Sequence, residues 1–243
     1  MPESNTNKKC EPGHSIPRTG IAGAVRVNKR TVGALCWLSS AQFFIAQIWV
    51  ALAWTTPFSL IQNFVSDLGN TRCGVFSNET NLYVCSPRHA LMNASFIVLG
   101  MTIFAGGVLT HELRRPGIAR QLTRAFMVLA GIGGVLVGGF PENENLILHS
   151  LGAATYFLFA NLGLVMLGWS ASGSVSRIKT VTLALGFIGI AATALFFSGH
   201  YLGLGVGGTE RLLVYPLPFA LTLSGGLMIG AASPHPVSSA STS

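Results

Sequence analysis

Three histidines (His89, His149, His200), three acids (Asp67, Glu142, Glu210) and one serine (Ser66) are the residues of this chain best suited to chemistry. Neutral imidazole with carboxylate is a ligand set for zinc, and a zinc-bound water is a nucleophile near neutral pH. Asp67 with the three histidines would form such a set. No HExxH or other short spacing joins them, so the same histidines also read as satisfied residues at helix ends. Ser66 beside Asp67 offers a nucleophile and an acid, yet neighbouring residues point in different directions and no GxSxG elbow surrounds them. Arg88 and Arg211 carry the guanidinium fork that clamps a phosphate or carboxylate. Pairing with Glu142 and Glu210 is their other use. Asn93 lies one turn after His89 and shares its helix face.

Bringing these residues together falls to the segments between them. Of 243 residues, 50% are hydrophobic and only 9% charged, with a mean hydropathy of +0.55, whereas soluble domains carry roughly 25% charge. This composition excludes a soluble domain and predicts an all-α polytopic membrane protein. Runs long enough to cross about 30 Å of hydrocarbon are predicted at Thr31–Trp54, His89–Thr110, Thr123–Phe140, Leu146–Trp169, Lys179–Ser198 and Leu212–Ala232. They form a six-helix transmembrane bundle over residues 31–232, between a disordered basic tail (1–30) and a disordered tail (233–243). The first run starts too late and is too long for a signal-peptide core.

The net charge is +7, but the basic residues flank the spans instead of forming a nucleic-acid surface. Arg114, Arg115, Arg120 and Arg124 follow the second span, and Arg177 and Lys179 precede the fifth. By the positive-inside rule these loops and both termini are cytoplasmic, in the cell membrane, with membrane lipids as partners and no nucleic acid. All the residues named above as suited to chemistry then fall at the opposite, extracytoplasmic end of the bundle. Ionisable groups at that depth are costly and point to function. Cys73 and Cys85 share the first outer loop and are predicted to form a disulfide there, leaving Cys10 and Cys36 free.

Within the first outer loop, Phe58, Ile61, Phe64, Val65 and Leu68 recur at three- and four-residue spacing. That pattern predicts a short amphipathic helix on the membrane surface, holding Ser66 and Asp67 at the interface. Gly203, Gly205 and Gly208 match GxGxxG, but no strand precedes them, so a dinucleotide site fails its context. Gly207–Thr209 instead reads as the start of the last helix, with Thr209 as N-cap and free N–H groups able to hold an anion. Ala130, Gly134 and Gly138, and likewise Gly226 and Gly230, have the small-xxx-small spacing of close helix packing within the bundle. Gln42, Gln47 and Asn161 lie deeper and read as interhelical hydrogen bonds. No buried charge pair accompanies them, which argues against an ion-coupled transporter.

Val65-Ser66-Asp67-Leu68-Gly69, Cys85-Ser86-Pro87-Arg88-His89 with Asn93, and Gly139-Phe140-Pro141-Glu142 with His149 together resemble the motifs of the DUF998 family of prokaryotic multi-pass membrane proteins. The resemblance covers about residues 31–232 and implies an architecture, without an activity. A looser similarity is to the ceramidase-like (CREST) intramembrane hydrolases, which combine a Ser, an Asp and three His for zinc-dependent amide hydrolysis. This chain departs from them in reading as six spans, not seven, and in lacking HxxxH in a late helix. The function expected is an outward-facing polar pocket for a lipid head group or small anionic ligand. The alternative is a metal-dependent hydrolase at the outer leaflet.

Overall fold

The computed structural model describes residues 28–75 and 82–231. Most of the basic tail, Cys10, Glu79 and the tail 233–243 lie outside the described residues. Among the described residues, six helical segments are long and apolar enough to cross a membrane. The first is α1 (Lys29–Leu38) and α2 (Gln42–Ala51), joined by a 3-10 turn at Ser39–Ala41. Next come α3 (His89–Leu109), α4 (Ile118–Gly139), α5 (Leu146–Ser170) and α6 (Lys179–Ser198). The last is α7 (Gly205–Val214) continued by α8 (Pro216–Gly230). Contacts run α1 to α3, α3 to α4, α4 to α5, α5 to α6, α6 to α7 and α8 back to α1, so the spans close a ring in chain order.

Small residues allow this closeness, because helices in lipid associate through packing and not through water exclusion. A Cβ on Gly133 would stand 2.7 Å from the backbone of Gly152 and Tyr156, where α4 meets α5. Gly134 and Gly138 press in the same way on α3. Gly226 and Gly230 depart from the expectation: a Cβ there meets nothing within 4 Å, and it is Gly225 that packs on α1. Large apolar side chains such as Ile45, Leu151, Phe187 and Phe219 point outward, into hydrocarbon.

The deep amides act between helices, as expected. Gln42 and Ser95 exchange hydrogen bonds, Tyr215 Oη donates to Gln47, and Asn161 donates to Leu213 O at 3.0 Å. The last span breaks at Tyr215 because Pro216 and Pro218 have no N–H to continue the ladder. Tyr156 Oη donates to Val214 O at 3.3 Å, the carbonyl that Pro218 leaves unpaired.

The third span begins at Ile118, earlier than its apolar run. The sixth begins at Gly205, so Glu210 and Arg211 lie inside a helix and are buried. Thr209 is likewise within α7, donating to Gly205 O instead of capping. The amphipathic surface helix is reduced to one 3-10 turn, Ser66–Gly69. Residues 63–70 are buried apart from Ser66, so the loop descends into the end of the bundle.

Candidate functional site

Non-helical backbone survives at membrane depth only where protein satisfies it, and here the last span does so. Gly207 N–H and Gly208 N–H, at the start of α7, donate to Ile61 O at 2.8 and 3.3 Å. Arg211 Nη1 donates to Leu60 O, Asn63 O and Gly207 O at 2.8–2.9 Å, and its guanidinium carbon is 5.4 Å from the Phe58 ring centroid. Glu210 Oε2 accepts from Val65 N–H. The helix start expected to hold an anion is therefore occupied by the protein's own loop, as is Nη1 of Arg211, while the arginine's Nε and Nη2 are buried without a partner. Gly207 must be glycine, since a Cβ there would collide with Asn63 O.

The other family-like motifs staple the same loop. Ser86 Oγ donates to Leu68 O at 2.7 Å, and Asn93 Nδ2 donates to Gly69 O at 2.9 Å. Thr71 bonds Asn143 and Glu144 in the α4–α5 connection. Cys73 and Cys85 are disulfide-bonded, beside the two-residue pairing of β1 (Gly74–Val75) with β2 (Tyr83–Val84). Cys36 is free.

The acids gather around the 3-10 turn. Asp67 is fully buried. Its Oδ2 accepts from Asn63 Nδ2 and Phe64 N–H, each at 3.0 Å, while Oδ1 is buried without a partner. Burial pushes its carboxyl up from 3.8 to about 6, against the Asn63 bond. Glu142 pushes further in the same direction, and the Phe64 N–H and Arg211 pull back. Ser66 Oγ donates to Glu142 Oε2 at 2.9 Å. Glu210 is within electrostatic reach of both Asp67 and Glu142. Asp67 and Glu210 thus share the field of one guanidinium, that of Arg211.

A cavity of about 180 Å³ opens beside this turn. Its lining combines the polar Ser66, Glu142, His149 and Glu210 with the apolar Leu146, Phe157, Phe196 and Phe197. Beyond Ser66, His149 and Glu210 it continues as a narrow arm of about 30 Å³ bordered by Tyr156 and Phe96, room for about one water molecule. His149 Nδ1 lies 2.9 Å from Phe140 O. A carbonyl only accepts, so Nδ1 carries the proton and Nε2 is the ring atom left for other partners.

Not every candidate joins this cavity. Arg88 is exposed and donates to Trp49 O. His89 Nδ1 bonds Ser86 O, tying the start of α3 to the preceding turn. His200 is exposed at the end of α6, with Nδ1 on Ser198 O. Asn93 serves the loop backbone. Among the described residues no three His, Cys, Asp or Glu side chains stand close enough to share a metal ion, so Asp67, His89, His149 and His200 do not fit zinc as a set. Sequence reasoning missed Asn63 and the aromatic wall of Phe157, Phe196 and Phe197. The available signal for Asn63 was its place four residues before Asp67.

A family model, described as a protein of unknown function (DUF998), matches residues 38–226. No curated protein and no solved structure matches the chain.

Proposed function

The chain belongs to the DUF998 family of proteins of unknown function, and from that premise we propose that it is a lipid-binding protein of the cell membrane. Its cavity would receive a lipid head group at the end of the bundle opposite the arginine-rich loops. The observation that carries this reading is the mixed lining of one cavity, with Glu142, His149, Glu210 and Ser66 beside Leu146, Phe157, Phe196 and Phe197. Such a lining suits a molecule with a polar head and an apolar body. The acids favour a head rich in hydroxyl or amino donors over an anionic one, because Glu142 and Glu210 line the cavity and neither Arg88 nor Arg211 does.

Native mass spectrometry of the full chain with lipids from its host membrane tests this. A lipid species retained by the wild type should be lost in Glu142→Gln and in His149→Ala. An identical lipid profile in both variants would remove the support for the cavity. A hydrolytic role is the second reading, favoured by the Ser66 to Glu142 hydrogen bond beside His149. Turnover of an amide- or ester-linked lipid, abolished in Ser66→Ala, would put it first.

A further inference from the structure

At the opposite end of the bundle a second cavity of about 180 Å³ is bounded by the start of α1, the end of α3, the α5–α6 connection and the end of α8. Two arginines line it. Arg114 follows α3 and is only 6% exposed. Its guanidinium lies 5.0 Å over the Trp37 ring centroid, and Nη2 donates to Thr110 Oγ1 at 2.9 Å. Nη1 is buried without a partner. Arg30, in the first turn of α1, has a buried Nε that is also without a partner. Neither arginine is ion-paired among the described residues.

Two guanidiniums lining one cavity without a counter-charge among the described residues are a costly arrangement, since a buried charge is retained when paired. Burial lowers Arg114 to about 9, with no acid among the described residues offsetting it. The Trp37 face offsets part of the charge but leaves the in-plane Nη1 donor without a partner. The wall opposite adds hydroxyls: Ser172 donates to Leu113 O and so fixes the connection, and Ser174 also lines the cavity. Arginine forks with nearby hydroxyls match the several acceptor oxygens of a phosphate. Basic pockets between spans on the positively flanked side are also where anionic lipid heads bind.

We infer that the cavity between Arg30 and Arg114 binds a phosphate group, carried by an anionic phospholipid or as free inorganic phosphate. The test uses the full chain in nanodiscs of phosphatidylcholine, titrated separately with inorganic phosphate and with dioctanoyl phosphatidylglycerol. One saturable site per chain is expected, weakened about tenfold or more in Arg30→Gln and in Arg114→Lys. The ring contact with Trp37 is made by Arg114, so Arg30→Gln probes the site while leaving that guanidinium in place. Arg124→Gln, which removes an exposed charge at the same end, should keep wild-type affinity. Binding by phosphatidylglycerol alone identifies a lipid head, and comparable binding by inorganic phosphate identifies the free anion. Absence of binding by either probe overturns the site. So does wild-type affinity in both Arg30→Gln and Arg114→Lys, or an equal loss in Arg124→Gln.

Discussion

Replacing Asp67 with Asn should stabilise this protein at neutral pH, the reverse of the usual result of altering a buried, hydrogen-bonded residue. The carboxyl rises from 3.8 to about 6 because burial outweighs the Asn63 and Phe64 bonds, with Glu142 adding repulsion. A raised folded value means that the native state binds the proton more tightly than the unfolded chain. Stability is therefore greatest below about 3.8 and is lost as pH climbs through about 6. At about 1.4 kcal/mol for each tenfold change in proton affinity, the ionised group costs roughly 3 kcal/mol above that range. The carboxamide introduced by Asp67→Asn keeps an acceptor for Asn63 and Phe64, and directs N–H toward the position of the unpartnered Oδ1. A gain of about 1–3 kcal/mol is expected at pH 7.5, or several degrees in unfolding midpoint for a chain of this size. Thermal unfolding of the full chain in detergent, from pH 4.5 to 8, measures it. The wild-type midpoint should fall between pH 4.5 and 7, with that part of the slope missing in Asp67→Asn. A destabilised variant at pH 7.5, or a wild-type midpoint that rises across that range, would show that Arg211 outweighs burial and refute the reasoning.

Adjacent glycines at the start of α7 should behave oppositely. Gly207→Ala drives a Cβ into Asn63 O and should cost about 1–3 kcal/mol, whereas Gly208→Ala meets only Leu204 Cβ at 3.5 Å and should be neutral or gain up to about 1 kcal/mol from helix propensity; paired melting curves decide. Reduction of the Cys73–Cys85 bond, which closes a loop of sequence separation 12, should lower stability by up to about 3 kcal/mol, read as a drop in midpoint that Cys73→Ser reproduces. Metal analysis of the purified chain should give no stoichiometric zinc held jointly by His89 and His149. Zinc lost in both His89→Ala and His149→Ala would mean that the donors converge after all.

The six spans were legible because about twenty consecutive apolar residues leave few alternatives. Their ends were less so. With Thr209 as N-cap, Glu210 and Arg211 read as the first turn of the last helix, yet they lie further inside it and are buried, because their partners, Val65 N–H and the carbonyls of Leu60 and Asn63, lie about 150 residues away in sequence. The same long-range bonds replace the surface helix: Phe58, Ile61, Val65 and Leu68 have helical spacing, but Gly207, Gly208 and Arg211 already satisfy the Leu60, Ile61 and Asn63 carbonyls. Of the candidate residues, Ser66, Glu142, His149 and Glu210 do line one cavity. His200 does not, because its place at a helix end says nothing about the direction of its ring.

The break in the last span has a mechanical consequence. Its two halves border different cavities, α7 through Glu210 and α8 through Met228. The carbonyls around the break are held from outside, Val214 O by Tyr156 and Leu213 O by Asn161 of α5, while Tyr215 is tied to Gln47 of α2. Three hydrogen bonds with neighbouring helices therefore brace the point where the prolines interrupt the ladder, and removing the Tyr156 hydroxyl releases one brace.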